Sequence, residues 1–548
     1  MRARLMSVLL LACAAAAQTK PEAKAVPGLP ETGQFQISGR VVDAATSAPV
    51  ADAEVALGVS GKPEVIDGVM TGADGRFVFR DLQAGKYWLA AEHRRYPRQG
   101  YGQHEGYFVG VVVGPKAAAD DLLFRMQPGS SVEGTVTDEQ GDAVRHAKVM
   151  LFHNALTAGA RRTEFQSELE TDDQGHYLFS HLVPGRYYLA AHAEPWYAAS
   201  QLSGVKRIAA SRGVSDAESI VTSVPQGSQF DVLYPVTYYA NANDTVAATP
   251  IDVKGGERAA ADMVLMPMPA VHVKFRCPVC GSDLATSRVV QESFGGYEIP
   301  VGSPGGSPVT ALGPDGQEFI VPLGPAVIRS GTTRGLAIDA TDGLTVDGQN
   351  ASVSAQVSGR VLMDDGTKLK EATTILFVDS ASGQSVGANN EGEKLSPVPL
   401  KPGTHSVYVA NRENATVKSI VASGAKVVGQ SIEIAEGAQA HVEITLTKGA
   451  VDISGTALRG SKPVAGAMVL LVPEDLEHNE ALIRRDESDS DGTFLLRATP
   501  PGKYTLVAIE NGWDVEWKKA EVLEPYLKAG QAVVVKAGGK YELKVAVQ

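Results

Sequence analysis

The stretch ADGRFVFRDLQAGKYWLAA, residues 73–91, decides the fold because the chain writes it again as DQGHYLFSHLVPGRYYLAA (173–191) and SDGTFLLRATPPGKYTLVA (490–508). Each copy has a turn glycine (Gly75, Gly175, Gly492) and an aromatic two residues later (Phe77, Tyr177, Phe494). Each has a second glycine ten residues after the first (Gly85, Gly185, Gly502), then Tyr87, Tyr187 or Tyr504 two further on. Asp-Gly supplies the positive φ of a tight hairpin turn. The alternation after it, Phe77 and Phe79 on one side and polar residues on the other, is the period of a half-buried strand. Pro184-Gly185 and Pro501-Gly502 turn the chain again.

A second signature lies upstream: ISGRVVD (37–43), VEGTVTD (132–138), VSGRVLM (357–363) and ISGTALR (453–459). One glycine inside a short strand marks a bulge or a close backbone approach. Gly39 and Gly134 are 95 positions apart, and Gly359 and Gly455 are 96 apart. One unit is therefore about a hundred residues, the size of a seven-stranded sandwich. The fold class expected is all-β, a tandem array of antiparallel Ig-like, transthyretin-like β-sandwich modules. The expected modules are 33–128, 129–267 with an extended insertion, 268–352 in degenerate form, 353–448 and 449–548. Within the insertion, roughly 195–233, the stretch 204–220 suits a short helix. Phrases such as DLLFRMQPGSSVEGTV (121–136) and VEITLTKGAVDISGTA (442–457) join neighbours through short turns, so semi-rigid beads on a string are expected.

The pattern G-R/T-V, then D-G-x-F/Y, then P-G-x-Y resembles the carboxypeptidase regulatory-like domain. Gly39, Asp74, Gly75, Phe77, Gly85 and Tyr87 carry the match, with their counterparts in the second and fifth modules. The resemblance implies a transthyretin-like sandwich classed with carbohydrate-binding-like folds. The linking phrases also look like those of secreted, tandem-repeat bacterial proteins. It is specific for fold and says little about activity. In metallocarboxypeptidases this domain accompanies a separate zinc domain whose His-x-x-Glu pair holds the metal. None of the eleven histidines here has Glu three residues on, so no zinc site and no carboxypeptidase activity are expected.

The formal charge of −13 over 548 residues argues against nucleic acid, which needs clustered Lys and Arg. Arg2, Arg4, the apolar run Leu5–Leu11 and the small residues Ala14–Ala17 read as an export signal over 1–17, with a disordered Pro/Lys/Glu-rich lead-in over 18–32. Lipoprotein processing at Cys13 is the rival. No later run is long and apolar enough for a transmembrane segment, and neither an anchor nor a sorting tail is expected after the last strand. The localisation expected is export, to periplasm, outer surface or medium.

Cys277-Pro278-Val279-Cys280 gives two thiols where a structural zinc site wants four ligands. A small disulfide, or a loop of inert thiols, fits it better than metal or redox chemistry. Asp172 to Gly175 and Asp486 to Asp491 fail the spacing of a calcium loop, and turn chemistry accounts for them. Eleven residues after each second glycine comes an aromatic: Tyr96, Trp196 and Trp513. With Tyr101, His104 and Tyr197 they are the candidate ligand-binding residues, on the ground that sugar rings stack on exposed aromatic faces. The other reading is that these rings cover the ends of the cores. Tyr96 is expected to be exposed, because Arg94, Arg95 and Arg98 surround it. The function expected is non-catalytic, without cofactor: binding of a glycan or cell-envelope polymer, or of another protein. The alternatives are an adhesion or assembly scaffold, or the accessory of a separately encoded peptidase.

Overall fold

The computed structural model describes residues 33–548 except 199–228, 303–307, 309, 312–315, 332–333, 351, 370–372 and 411–414. The export signal, Cys13, the lead-in and the helix expected over 204–220 lie outside the described residues. The described chain is all-β, with the repeat written into it. In the first module the strand Phe35–Asp43 runs antiparallel to Arg76–Leu82 and parallel to Ala119–Met126. Against this sheet packs a second, with Val65–Met70, Glu54–Val59, Gly85–His93 and Tyr96–Gly100 in order and Val111–Val113 also on Gly85–His93. Ile37, Val41, Phe77, Phe79, Leu89 and Phe124 fill the space between them. The last segment repeats the plan: Val451–Arg459 lies between Thr493–Thr499 and the parallel Tyr541–Ala546.

The two sequence signatures turn out to be one contact. Gly39 pairs with Phe77, Gly134 with Tyr177 and Gly455 with Phe494. A methyl group at Gly39 would lie 2.9 Å from the Phe77 ring, one at Gly134 2.9 Å from the Tyr177 hydroxyl, and one at Gly455 would overlap Phe494. At Gly39 and Gly134 the backbone carbonyls of Leu122 and Ala261 on the other side come closer still, so glycine is required by the facing aromatic and the neighbouring backbone together.

The second turn is built differently from the expectation. Gly85, Gly185 and Gly502 open strands and do not take positive φ. The left-handed residues are Asp81 (φ 56°), His181 (58°) and Ala498 (47°), four positions earlier. The corner is closed by the repeated tyrosine. Tyr87 donates to the Gln83 carbonyl (2.9 Å), Tyr187 to Val183 (2.7 Å) and Tyr504 to Pro500 (3.0 Å). Each reaches back four residues, in the manner of the tyrosine corner of Ig-like sandwiches.

Two sheets are apolar on both faces. Val149 and Leu151 of Lys148–Thr157 face the core of their own module, whereas Met150 and Phe152 face Val273, Phe275 and Phe319 of the next. The segments 129–267 and 268–352 thus share a continuous core. That third segment consists of a sheet around Met268–Arg276 and Gly316–Pro322 and another around Arg288–Glu292, Gly324–Ser330 and Arg334–Ala340. In Met468–Pro473, Val469 and Leu471 face inward, while Met468, Leu470 and Val472 pack under Trp517, which precedes the helix Ala520–Lys528, and under Leu523 within that helix.

The expected string of beads is not what forms. The first module lies against the last, across some 380 residues of sequence. Arg485 donates to Glu105 (3.1 Å) and to Glu487 (3.2 Å), and its guanidinium lies 4.0 Å from the centre of the Tyr107 ring. Lys86 pairs with Asp489, which also accepts from the Gly110 amide (3.1 Å), and Ser490 and Gly110 exchange a backbone bond (2.9 Å). The side chains of Arg485 and Glu487 are 1% exposed. The hairpin Lys148–Thr157/Ala160–Glu170 touches the last module too, where Lys518 donates its amide to Gly159 (3.1 Å). Short linkers constrain only neighbours. They did not reveal that the 101–112 loop carries groups complementary to 485–490.

Candidate functional site

The three aromatics at one sequence offset occupy three different environments. Tyr96 is buried at 5% exposure, contrary to the expectation. The hairpin places His93 opposite Tyr96 and turns the tyrosine inward, while Arg94 and Arg95 point to solvent. Its hydroxyl donates to Asp43 (2.8 Å). Burial and that hydrogen bond push the Tyr96 phenol up to about 12. Burial alone would raise the Asp43 carboxyl, but donors from Thr46, Tyr96 and Ala45 more than reverse this and hold it low. Tyr101 is half-buried, edge-on to Phe124 at 5.6 Å. Trp513 is half-buried and stacks on His104 at 4.0 Å, and His104 Nδ1 lies 3.1 Å from Glu487. The structure thus brings His104 and Trp513 together, as part of the contact between the first and last modules.

Trp196 is the exception. It is 81% exposed, just past the strand Gly185–His192. Tyr197 stands edge-on to it at 5.7 Å and donates to Glu139 Oε1 (2.7 Å), while Tyr234 donates to Glu139 Oε2 (3.3 Å). Burial and the Glu139 carboxylate push Tyr197 up to about 12 and raise Tyr234 as well. Trp196 borders a cleft of about 620 Å³ between the second and third segments. The cleft is walled by Met150, Tyr297 and Ile299 and edged by Arg145, Lys148, Glu168 and Glu194. At its side, His192 has a buried Nδ1 without a hydrogen-bond partner, and burial, then Lys148, push its imidazole down to about 4. It is a neutral imidazole near neutral pH, able to exchange a hydrogen bond with an uncharged hydroxyl.

His192, Tyr234, Tyr297 and Ile299 escaped the reading of the sequence. Tyr297 and Ile299 come from the degenerate segment, where the repeat gives no register. Only the unbroken apolar run Val149–Phe152 hinted that this sheet has a second covered face. Cys277 and Cys280 are joined by a disulfide, with Cα atoms 5.3 Å apart, at the start of the 3-10 turn Gly281–Thr286. They lie far along the chain from these aromatics, within the core shared by the second and third segments. Among the described residues no three His, Cys, Asp or Glu side chains gather to hold a metal ion, and no helix is long and apolar enough to cross a membrane.

A sandwich repeated on the glycine–aromatic contact, with a tyrosine-closed corner, defines a class of small β-sandwich domains. The family model of the carboxypeptidase regulatory-like domain matches residues 36–113 and 131–213, so the chain carries that domain in tandem. No curated protein matches the chain significantly in sequence. Among solved structures, the TIE protein of Bacillus anthracis aligns at 10% identity over 96% of this chain and 76% of that one, with a TM-score of 0.17. The minor pilin GBS52 of Streptococcus agalactiae aligns at 11% over 43% and 97%, TM-score 0.20. The 5-hydroxyisourate hydrolase of Klebsiella pneumoniae aligns at 22% over 17% and 85%, TM-score 0.12. At such scores none of the three bears on what this chain does.

Proposed function

We propose that this is an exported, non-catalytic binding protein whose cleft between the second and third segments receives a glycan or a cell-envelope polymer. The observation that carries the reading is Trp196, a large apolar ring left 81% exposed at the edge of a cleft lined by aromatic and polar side chains. An exposed indole offers a π-face to the C–H surface of a sugar, and neutral His192 offers a ring nitrogen to a hydroxyl. Retention of the mature protein on peptidoglycan and insoluble glycans tests the reading. Trp196→Ala should weaken retention several-fold, about 1 kcal/mol for one stacked ring, at an unchanged unfolding midpoint. Retention equal to wild type, or none by either protein, overturns it.

A second reading, assembly with a protein by strand addition, is favoured by one feature. Val65–Met70 is the edge strand of its sheet and exposes Val65, Ile66 and Met70. Concentration-dependent association abolished by Ile66→Lys would support it.

A further inference from the structure

Where the fourth segment meets the fifth, a cavity of about 270 Å³ is bordered by Tyr408, Thr416, Gln430, Leu482, Arg484 and Pro500. Arg484 donates from Nη1 to the carbonyls of Ala481 (3.0 Å) and Ile483 (2.9 Å). From Nε (3.1 Å) and Nη2 (2.9 Å) it donates to Ala498. These bonds use four of the five guanidinium N–H groups and leave one on Nη2. Among the described residues no carboxylate pairs with Arg484. Its neighbour Arg485 shows the alternative, a buried guanidinium held by Glu105 and Glu487. Glu480, nearby in sequence, pairs with Lys518 (3.4 Å). Tyr408 does not supply the charge: burial, with Glu480, pushes its phenol up to about 12, so it stays neutral. Guanidinium does not deprotonate in proteins, and a half-buried cation balanced only by carbonyl dipoles is costly.

A second, independent observation points to the same place. Thr416 is 6% exposed, and its Oγ1 has no hydrogen-bond partner. A buried hydroxyl left unpaired costs about 1–3 kcal/mol. Gln430 does not pair with it; its Nε2 donates to the Val417 carbonyl (2.8 Å).

The geometry points to a binding site for a carboxylate group at this seam, one that accepts from the free Nη2–H of Arg484 and from the Thr416 hydroxyl. Tyr408, Leu482 and Pro500 would enclose a short apolar body. The cavity is small beside ordinary ligand pockets of roughly 300–1,000 Å³. The ligand is therefore of amino-acid size: a free short-chain acid, or the C-terminal residue of a peptide.

Calorimetric titration of the full chain tests this with four probes: butyrate, N-acetylalanine, an acetylated tripeptide ending in alanine, and N-acetylalanine amide. Saturable binding of at least one acid is expected, with the amide about tenfold weaker or worse, since a hydrogen bond to a charged group is the stronger kind. Tighter binding of butyrate identifies a free acid as the source, and tighter binding of the tripeptide a peptide terminus. Arg484→Gln should abolish binding but also frees three carbonyls. Thr416→Val, which removes an unpaired hydroxyl and keeps the shape, therefore carries the test. It should fold at least as stably as wild type and bind the acid about fivefold more weakly or worse, the equivalent of one lost hydrogen bond. Equal affinity for acid and amide, wild-type affinity in Thr416→Val, or no saturable binding of any acid overturns the proposal.

Discussion

The hydroxyl of Tyr187 reaches back to a carbonyl four residues away, and those of Tyr87 and Tyr504 do the same in their own corners. Each closes a tight turn whose left-handed residue is not glycine. Tyr187→Phe should therefore cost about 1 kcal/mol, the price of one hydrogen bond with its acceptor left behind; a denaturation midpoint equal to wild type would show that the bond adds nothing. Trp513 and Trp196 share an offset but predict opposite outcomes. Trp513→Ala removes the ring stacked on His104 and should lower stability by about 1–3 kcal/mol, as partial loss of a packed Trp does, whereas Trp196→Ala should not. At this scale the repeat was legible because four positions recur at fixed spacing and each has a local cause. Tyr96 was misread because its burial depends on hairpin register and on Asp43, more than fifty residues upstream. No spacing within the 85–96 stretch encodes that partner.

At the scale of elements, the run MVLLVP over 468–473 breaks the alternation of its neighbours, and all six residues are buried. A strand buried on both faces needs a cover, and here the segment around Trp517 and the helix Ala520–Lys528 provide it, with Leu523 fully buried against Leu470 and Val507. Leu523→Ala should destabilise the protein by about 2–5 kcal/mol, the range for truncating a buried leucine. A loss below 1 kcal/mol in chemical denaturation would mean that the helix is an ornament on a self-sufficient sheet. The doubly apolar strands were legible in the sequence as unbroken hydrophobic runs. Their covers were not, because Leu523 and Phe275 lie tens to more than a hundred residues away and match by shape alone.

For the whole molecule, the contact between the first and last modules is electrostatic and titrates. Burial pushes the Asp489 carboxyl up to about 6 although Lys86 and the Gly110 amide pull it down. A carboxyl raised in the folded state takes up a proton on folding, so its contribution is greatest below about pH 4 and is lost as the pH rises through about 6. His192, pushed down to about 4, works the other way over the same range, because the unfolded imidazole protonates first. A paired comparison separates the two. Relative to Asp489→Asn, the wild type should gain stability as the pH falls from 6 to 4, by up to about 3 kcal/mol for a shift near two units. A difference between the two proteins that stays flat with pH would refute the assignment.

The same contact sets a waiting time. A ribosome releases Lys86 and Glu105 roughly four hundred residues before Asp489 and Arg485. At about 5–20 residues per second, the first module spends some 20–80 s with those charges facing water. A first module that folds within that interval does so as a single domain with the face that will meet its partner still wet, a condition that the charged and polar groups of that face suit.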